Sequence, residues 1–163
     1  MFKSIWRLFE NLSQIISIFK ETPSQIDDLL CGNITEIVSR VHPKDNIWSE
    51  IIKTLKNTPK ALDEMLSIAD SKTGKTYLHD FGKEQNVNAL SIINEIYKDS
   101  PEKLKELYSR KDKLNTKWIG TEKVGCDGYM KYEQSGKTPL EYLTLENLNS
   151  LKEKYPLLND IKL

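Results

Sequence analysis

Cysteine and histidine, the residues most often used for metal binding and nucleophilic chemistry, are scarce in this chain, which has two of each among 163 residues. Cys31 and Cys126 lie 95 positions apart, so no disulfide framework is expected and a reducing, cytoplasmic compartment is predicted. Two histidines and two distant cysteines also cannot supply a recognisable zinc cluster. We therefore expect neither a metal nor a cofactor.

A net charge is also missing, because 24 lysines and arginines balance 24 aspartates and glutamates. Both signs are mixed along the whole chain, so it lacks the long-range positive field that draws proteins to nucleic acid. No nucleic-acid partner is predicted. Lysine outnumbers arginine 21 to 3, a bias typical of AT-rich genomes. One hypothesis from this bias is a host-directed effector of an intracellular bacterium, delivered without a classical signal peptide.

No uncharged run is long enough to cross a membrane. Residues 2–19 are rich in apolar side chains, but Lys3, Arg7 and Glu10 interrupt them and leave only nine consecutive uncharged residues. A spanning helix needs about 20 apolar residues, so neither a signal peptide nor a transmembrane helix is predicted. The apolar residues of this segment recur at helical spacing, which leaves open a peripheral membrane contact through residues 2–19.

Helical periodicity is the strongest signal in the chain. Apolar residues recur at three- and four-residue intervals in residues 2–19, 47–55 and 90–97, which predicts amphipathic helices and an all-α fold. Pro23, Pro59 and Pro101 each follow a threonine or serine. This pair is typical of a helix start, with the hydroxyl at the N-cap and proline in the first turn.

The helical segments also resemble one another. Residues 11–30, 47–66 and 89–108, at offsets of 36 and 42, share serine, isoleucine, lysine and proline at matching positions. Periods of this size indicate helical hairpins that stack and bury a shared core. We therefore predict a helical-hairpin solenoid formed by a single domain, residues 1–163, with helical cap and repeats in residues 1–69.

The glycine-rich stretch between residues 111 and 136 breaks this pattern. Its Asp127-Gly128 pair, flanked by apolar and aromatic residues, is typical of a two-residue β-turn and predicts one inserted β-hairpin near residues 118–134. Large apolar side chains in the hairpin are candidates for binding another protein. They are Trp118, Ile119, Tyr129, Met130 and Tyr132. The alternative, that they fold back onto the helices, stays open.

Two related motifs occur in the C-terminal half. Gly-Lys-Thr-Tyr-Leu-His at residues 74–79 and Gly-Lys-Thr-Pro-Leu at residues 136–140 resemble the G-x-T-P-L-H signature of ankyrin repeats. The resemblance implies an ankyrin-like architecture for residues 70–163, in which Thr76 and Thr138 cap helices and His79 ties its helix to the loop. Glu141 takes the place of the second histidine and completes a capping box with Thr138.

The same triplets also end like a phosphate-binding loop, but such a loop requires a glycine five positions earlier, where Ala69 and Lys131 stand. We therefore interpret them as turns and helix caps. Because ankyrin-like modules bind proteins, we expect a non-enzymatic protein–protein interaction module, a scaffold whose partner is another protein. The alternatives are a small helical enzyme with a site around His79, Asp80 and Cys126, and a membrane adaptor using residues 2–19.

Overall fold

The structure, a computed structural model, describes residues 41–113 and 136–161 in full, and residues 116–124 and 127–134 through their backbone. Earlier in the chain it describes single positions, namely Gln14, Asp27, Leu30, Ile34, Val38 and Ser39. Apart from these positions, the predicted helix of residues 2–19 and the repeat block of residues 11–30 lie outside the described residues. So do Cys31, Cys126 and the side chains of the predicted hairpin.

The described part of the chain is predominantly helical, which confirms the helical fold class expected from the periodicity. It contains six α-helices: α1 (Ile47–Leu55), α2 (Pro59–Ser67), α3 (Tyr77–Lys83), α4 (Val87–Ile96), α5 (Pro101–Ser109) and α6 (Leu145–Lys154). Two short 3-10 helices span Pro139–Tyr142 and Pro156–Asp160.

Helices α2 and α5 begin at the predicted prolines, with Thr58 and Ser100 at their N-caps. The two caps share one backbone geometry, with φ of −128° at Thr58 and −132° at Ser100. The expectation that their hydroxyls cap the helices is wrong, because neither side chain makes a cap hydrogen bond. The Thr58 hydroxyl instead donates to the Leu55 carbonyl at 3.0 Å, since the chain turns back towards the end of α1.

The core is centred on Trp48, which is fully buried. Its ring lies 5.0 Å from the rings of both Tyr77 and Phe81, measured between centroids, and its indole N–H donates to the His42 carbonyl at 2.9 Å. Helix α1 packs against α4, and α3 packs against the 3-10 helix Pro139–Tyr142. Apolar faces at helical spacing thus meet between neighbouring helix pairs, where burial supplies most of the stabilisation.

Two antiparallel strands, β1 (Thr116–Val124) and β2 (Asp127–Gln134), pair between α5 and the second Gly-Lys-Thr triplet. Their register shifts between Trp118 and Gly120, which marks a bulge. Asp127 pairs with Val124. The prediction that Asp127 and Gly128 form the turn is therefore wrong, because both residues belong to β2 and pair with β1. We call the two paired strands the ribbon.

Within the residues that the structure describes, no helix is long and apolar enough to cross a membrane.

Candidate functional site at the loop edge

The two Gly-Lys-Thr triplets build the same kind of helix start. Thr76 is the N-cap of α3, and its backbone N–H donates to His79 Nδ1 at 3.1 Å. Thr138 is the N-cap of the 3-10 helix Pro139–Tyr142, and its backbone N–H donates to Glu141 Oε2 at 2.6 Å. In both cases the side chain three positions after the N-cap returns to the cap backbone, as in a capping box. The four residues predicted as caps thus lie at two helix starts.

His79 also connects the two loops to each other. Because Nδ1 accepts the Thr76 N–H, Nε2 carries the proton, and it lies 3.1 Å from both the Arg110 and the Lys137 carbonyl oxygens. Burial lowers the pKa of His79, against the raising effect of the Asp112 charge and the two carbonyls. The neutral imidazole is therefore the form that the fold stabilises.

Backbone hydrogen bonds join the loops directly. The Lys113 N–H donates to the Thr73 carbonyl at 2.7 Å, and the Asp112 N–H donates to the Lys137 carbonyl at 3.0 Å. The Lys137 N–H in turn donates to Asp112 Oδ1 at 3.0 Å. A Cβ at Gly136 would lie 1.8 Å from the Asp112 carbonyl oxygen, so only glycine permits this approach. Residues 70–75, 111–113 and 136–138 thus form one continuous surface, which we call the cationic loop edge.

The aspartates of this edge are engaged by the backbone. Asp70 Oδ1 accepts the N–H of Thr73 at 2.7 Å and that of Lys72 at 3.1 Å, and the bonds to Thr73 are the main reason that the pKa of Asp70 is lowered. Asp112 is buried and also accepts the hydroxyl of Tyr142. Burial and the bond to Asp112 raise the pKa of the Tyr142 phenol. Asp70 therefore orders its own loop, and Asp112 connects two loops.

Most lysines of the edge face solvent, as do Asp70 and Ser71. Four of them are exposed, namely Lys72, Lys111, Lys113 and Lys137, and Lys75 is half-buried. The ammonium groups of Lys75 and Lys137 lie 4.9 Å and 5.5 Å from the centroid of the Tyr142 ring. Two cations therefore approach one aromatic ring, each within cation–π distance.

A surface cavity of about 410 Å³ adjoins the edge and shares Asp70 and Lys75 with it. Val41, Pro43 and Ile68 give it an apolar wall, and Ile68 is 42% exposed. Tyr77 and Asp80 also line the cavity, and burial raises the pKa of both side chains. The cavity thus offers an apolar contact beside a row of lysines.

The structure describes only some of the residues predicted for an enzymatic site and for protein binding. His79 and Asp80 are neighbours on α3, but His79 has hydrogen bonds at both ring nitrogens, and Cys126 lies outside the described residues. The backbone of Trp118, Ile119, Tyr129, Met130 and Tyr132 lies in the ribbon, and their side chains are also outside the described part. Among described residues, no group of three His, Cys, Asp or Glu side chains could hold a metal ion.

Sequence reasoning missed the cationic loop edge and the cavity. The sequence does contain a signal for the edge, namely an excess of positive charge in its three segments. They hold five lysines and two aspartates in a chain whose total charge is zero. No protein-family model matches the chain, and neither a curated protein nor a solved structure matches it.

Proposed function

We propose that the chain is a non-enzymatic protein–protein interaction module, an ankyrin-like stack of helical hairpins in which the ribbon is an inserted β-hairpin. The cationic loop edge carries this proposal. Two related loops are held side by side by buried polar contacts, and their lysines face solvent. Rigid loops on a helical scaffold are a common arrangement for recognising other proteins.

Contacts between successive helix pairs support the stack. Asp27 accepts the N–H of Lys60 at 3.0 Å and of Ala61 at 2.8 Å, at the start of α2, the second helix of the next pair. Asp63 Oδ2, 36 positions later, lies 3.2 Å from Lys103 Nζ, again in the first turn of the second helix of the following pair, α5. Lys103 follows Ala61 by the other repeat offset, 42. Equivalent acidic residues thus contact equivalent helix starts, as expected when repeats share one packing geometry.

The two loops support an insertion. The Asp70 N–H donates to the Lys75 carbonyl at 2.8 Å, and the Asp112 N–H makes the matching bond to Lys137. The aspartates are 42 positions apart, but the glycines of the two triplets, Gly74 and Gly136, are 62 apart. The 20 additional residues lie between Lys113 and Gly136, the segment that contains the ribbon. The ribbon is therefore an addition to a loop of which the chain also has a short version.

The loop from Asp70 to Gly74 shows how the ribbon can be replaced in a variant that tests its part in binding. Replacing residues 114–135 by Ser-Thr would leave two residues between Lys113 and Gly136, matching the length of the loop from Asp70 to Gly74. The replaced segment has three lysines and three acidic residues, so the net charge is unchanged. Wild type and variant, with matched helical circular dichroism, serve as baits for cell-lysate proteins, and each captured protein is then purified and titrated against both.

We expect the wild type to bind at least one purified protein directly, and the ribbon variant to bind it about tenfold more weakly or worse. If wild type and variant bind the protein with equal affinity, the ribbon is not part of the contact surface, and the cationic loop edge remains the candidate surface. A folded wild type that binds no captured protein in the direct titration would contradict the proposed function.

A further inference from the structure

The charge of the cationic loop edge differs from that of the rest of the molecule. Its five lysines and two aspartates leave a formal charge of +3, so the remainder of the chain carries −3. Both aspartates are fixed by backbone N–H groups, which keeps them from folding over the lysines. The edge is therefore a positive surface of defined shape on a protein with no overall charge.

Two further carboxylates, Asp80 and Glu141, border this surface; burial raises the pKa of Asp80, and the charge of Lys75 opposes that shift. Glu141 accepts the Thr138 N–H at 2.6 Å, and Asp80 lies at the adjoining cavity. The Lys113 ammonium lies 3.3 Å from the Ser71 carbonyl. The described salt bridges, which involve Lys53, Lys98, Lys103 and Arg110, include none of the five edge lysines.

Building on the proposed function, we infer that the cationic loop edge binds an acidic, extended segment of a partner protein. The aspartates or glutamates of the partner segment pair with the edge lysines. An apolar side chain next to them in the segment enters the cavity and contacts Ile68 and Tyr77. Lysine ammonium groups pair with single carboxylates as point charges. A chain of zero net charge lacks the general attraction to phosphate backbones, which favours an acidic protein segment over nucleic acid.

The test uses a phage-displayed library of random twelve-residue peptides, selected on the full wild-type chain. Selected peptides are synthesised with a fluorophore, and their Kd is measured by anisotropy. The edge variant combines Lys72→Glu, Lys111→Glu and Lys137→Glu, all at exposed positions. The control combines Lys56→Glu, Lys83→Glu and Lys105→Glu, which are also exposed and change the net charge equally. A matching Lys→Gln set at the edge replaces the first variant if that variant unfolds.

We expect the selected peptides to be enriched in Asp and Glu beside one apolar residue. Their Kd should rise about tenfold or more in the edge variant and stay within about twofold in the control. With the Lys→Gln set, a rise of about threefold or more is expected, because attraction is lost without repulsion. Raising NaCl from about 50 mM to about 300 mM should also weaken binding, since exposed charges are screened.

Selected peptides without an acidic excess, or with the same Kd for the edge and control variants, would overturn the inference and leave the proposed function standing. A folded chain that selects no peptide would overturn it too, and the lysate titration then decides separately whether the proposed function survives. A single-stranded oligo(dT) of matched charge that binds the edge more tightly than the peptides would assign the surface to nucleic acid and overturn the inference.

Discussion

His79 is the residue on which the two Gly-Lys-Thr loops converge. It is fully buried, and it contacts the cap of its own helix and the backbone of the following loop through opposite ring nitrogens. A protonated ring would lose Nδ1 as an acceptor for the Thr76 N–H. The residue that resembles a catalytic base by type therefore acts in the structure as a neutral connector.

This connection predicts a pH dependence of stability. Because burial lowers the pKa of His79 below its ordinary value of 6.5, the unfolded chain binds the proton more readily. The stabilisation is complete above pH 6.5 and is lost as the pH falls below it. We expect the free energy of unfolding, from urea titrations, to decrease between about pH 7 and pH 5.5 with a slope of up to about 1.4 kcal/mol per unit.

The matched control for this slope is His79→Gln, whose amide oxygen can accept the Thr76 N–H but does not titrate. Asp80, whose pKa is raised, has the opposite sign, since its stabilisation grows as the carboxyl becomes protonated at lower pH. A His79→Gln chain with the same slope as the wild type would show that another group is responsible.

Gly136 gives a second prediction at this scale. In Gly136→Ala the new methyl group would lie 1.8 Å from the Asp112 carbonyl oxygen, so the two loop strands must separate. We expect a loss of about 2–4 kcal/mol in the free energy of unfolding, measured in urea. Lys137→Ala, at the exposed neighbouring position, should cost less than about 1 kcal/mol. Equal effects of the two substitutions would contradict the close approach.

At the residue scale, local relations could be predicted and distant ones could not. Thr138 and Glu141 are three positions apart, and the capping pattern follows from helix geometry alone. The partners of His79 lie 31 and 58 positions away, so they depend on how the loops stack. The cationic loop edge has the same origin, because it forms only when three separate segments meet.

At the scale of elements, proline located the helix starts but not what caps them. The first turn of α2 is capped by Asp27, a buried residue that precedes the helix by more than 30 positions. A carboxylate accepting two N–H groups at a helix N-terminus is also favoured by the helix dipole. The threonine before the proline was a plausible cap, but its hydroxyl bonds to the preceding helix instead.

Asp27→Ala should therefore destabilise the fold, because it leaves the Lys60 and Ala61 N–H groups without an acceptor. We expect a loss of about 2 kcal/mol or more in the free energy of unfolding, measured in urea. Asp27→Asn keeps one oxygen acceptor and should lose less. Thr58→Ser retains the hydroxyl and serves as the matched change at the cap itself, with an expected cost below about 1 kcal/mol. An Asp27→Ala chain as stable as the wild type would exclude the capping role.

The strand register of the ribbon shows a further limit of sequence reasoning. An Asp-Gly pair between apolar residues is a strong local signal for a two-residue turn. The register is nevertheless set by strand pairing along the whole ribbon, with a bulge between Trp118 and Gly120. One extra residue on one strand shifts which residues pair beyond it, and no local pattern specifies that shift.

At the scale of the molecule, contacts between the two Gly-Lys-Thr loops join segments that are far apart in the chain. Asp70 and Asp112 lie 42 positions apart, whereas the glycines of the two triplets, Gly74 and Gly136, lie 62 apart. These contacts also determine the charge distribution, because they bring the lysines of the two loops to one surface. The formal charge of +3 on the cationic loop edge is therefore not visible in the total charge of the chain, which is zero.

If the ribbon is an addition, the helical body should fold without it. Replacing residues 114–135 by Ser-Thr reproduces the length of the loop from Asp70 to Gly74, which closes with the same type of Asp-to-Lys backbone bond. Loop length affects closure by only about 0.6 kcal/mol per doubling, so we expect one cooperative urea transition and a change in unfolding free energy within about 2 kcal/mol. Helical circular dichroism per molecule should be unchanged.

The matched control shortens the same loop too far, replacing residues 112–137 by Ser-Thr. This removes Asp112 and Lys137, whose backbones bond to each other, and Lys137 is also a carbonyl partner of His79. Such a chain should lose several kcal/mol or fail to fold, because buried groups are left without partners. If both replacements fail equally, the ribbon is part of the helical core, since a true insertion is removable only when its cut ends match the native loop closure.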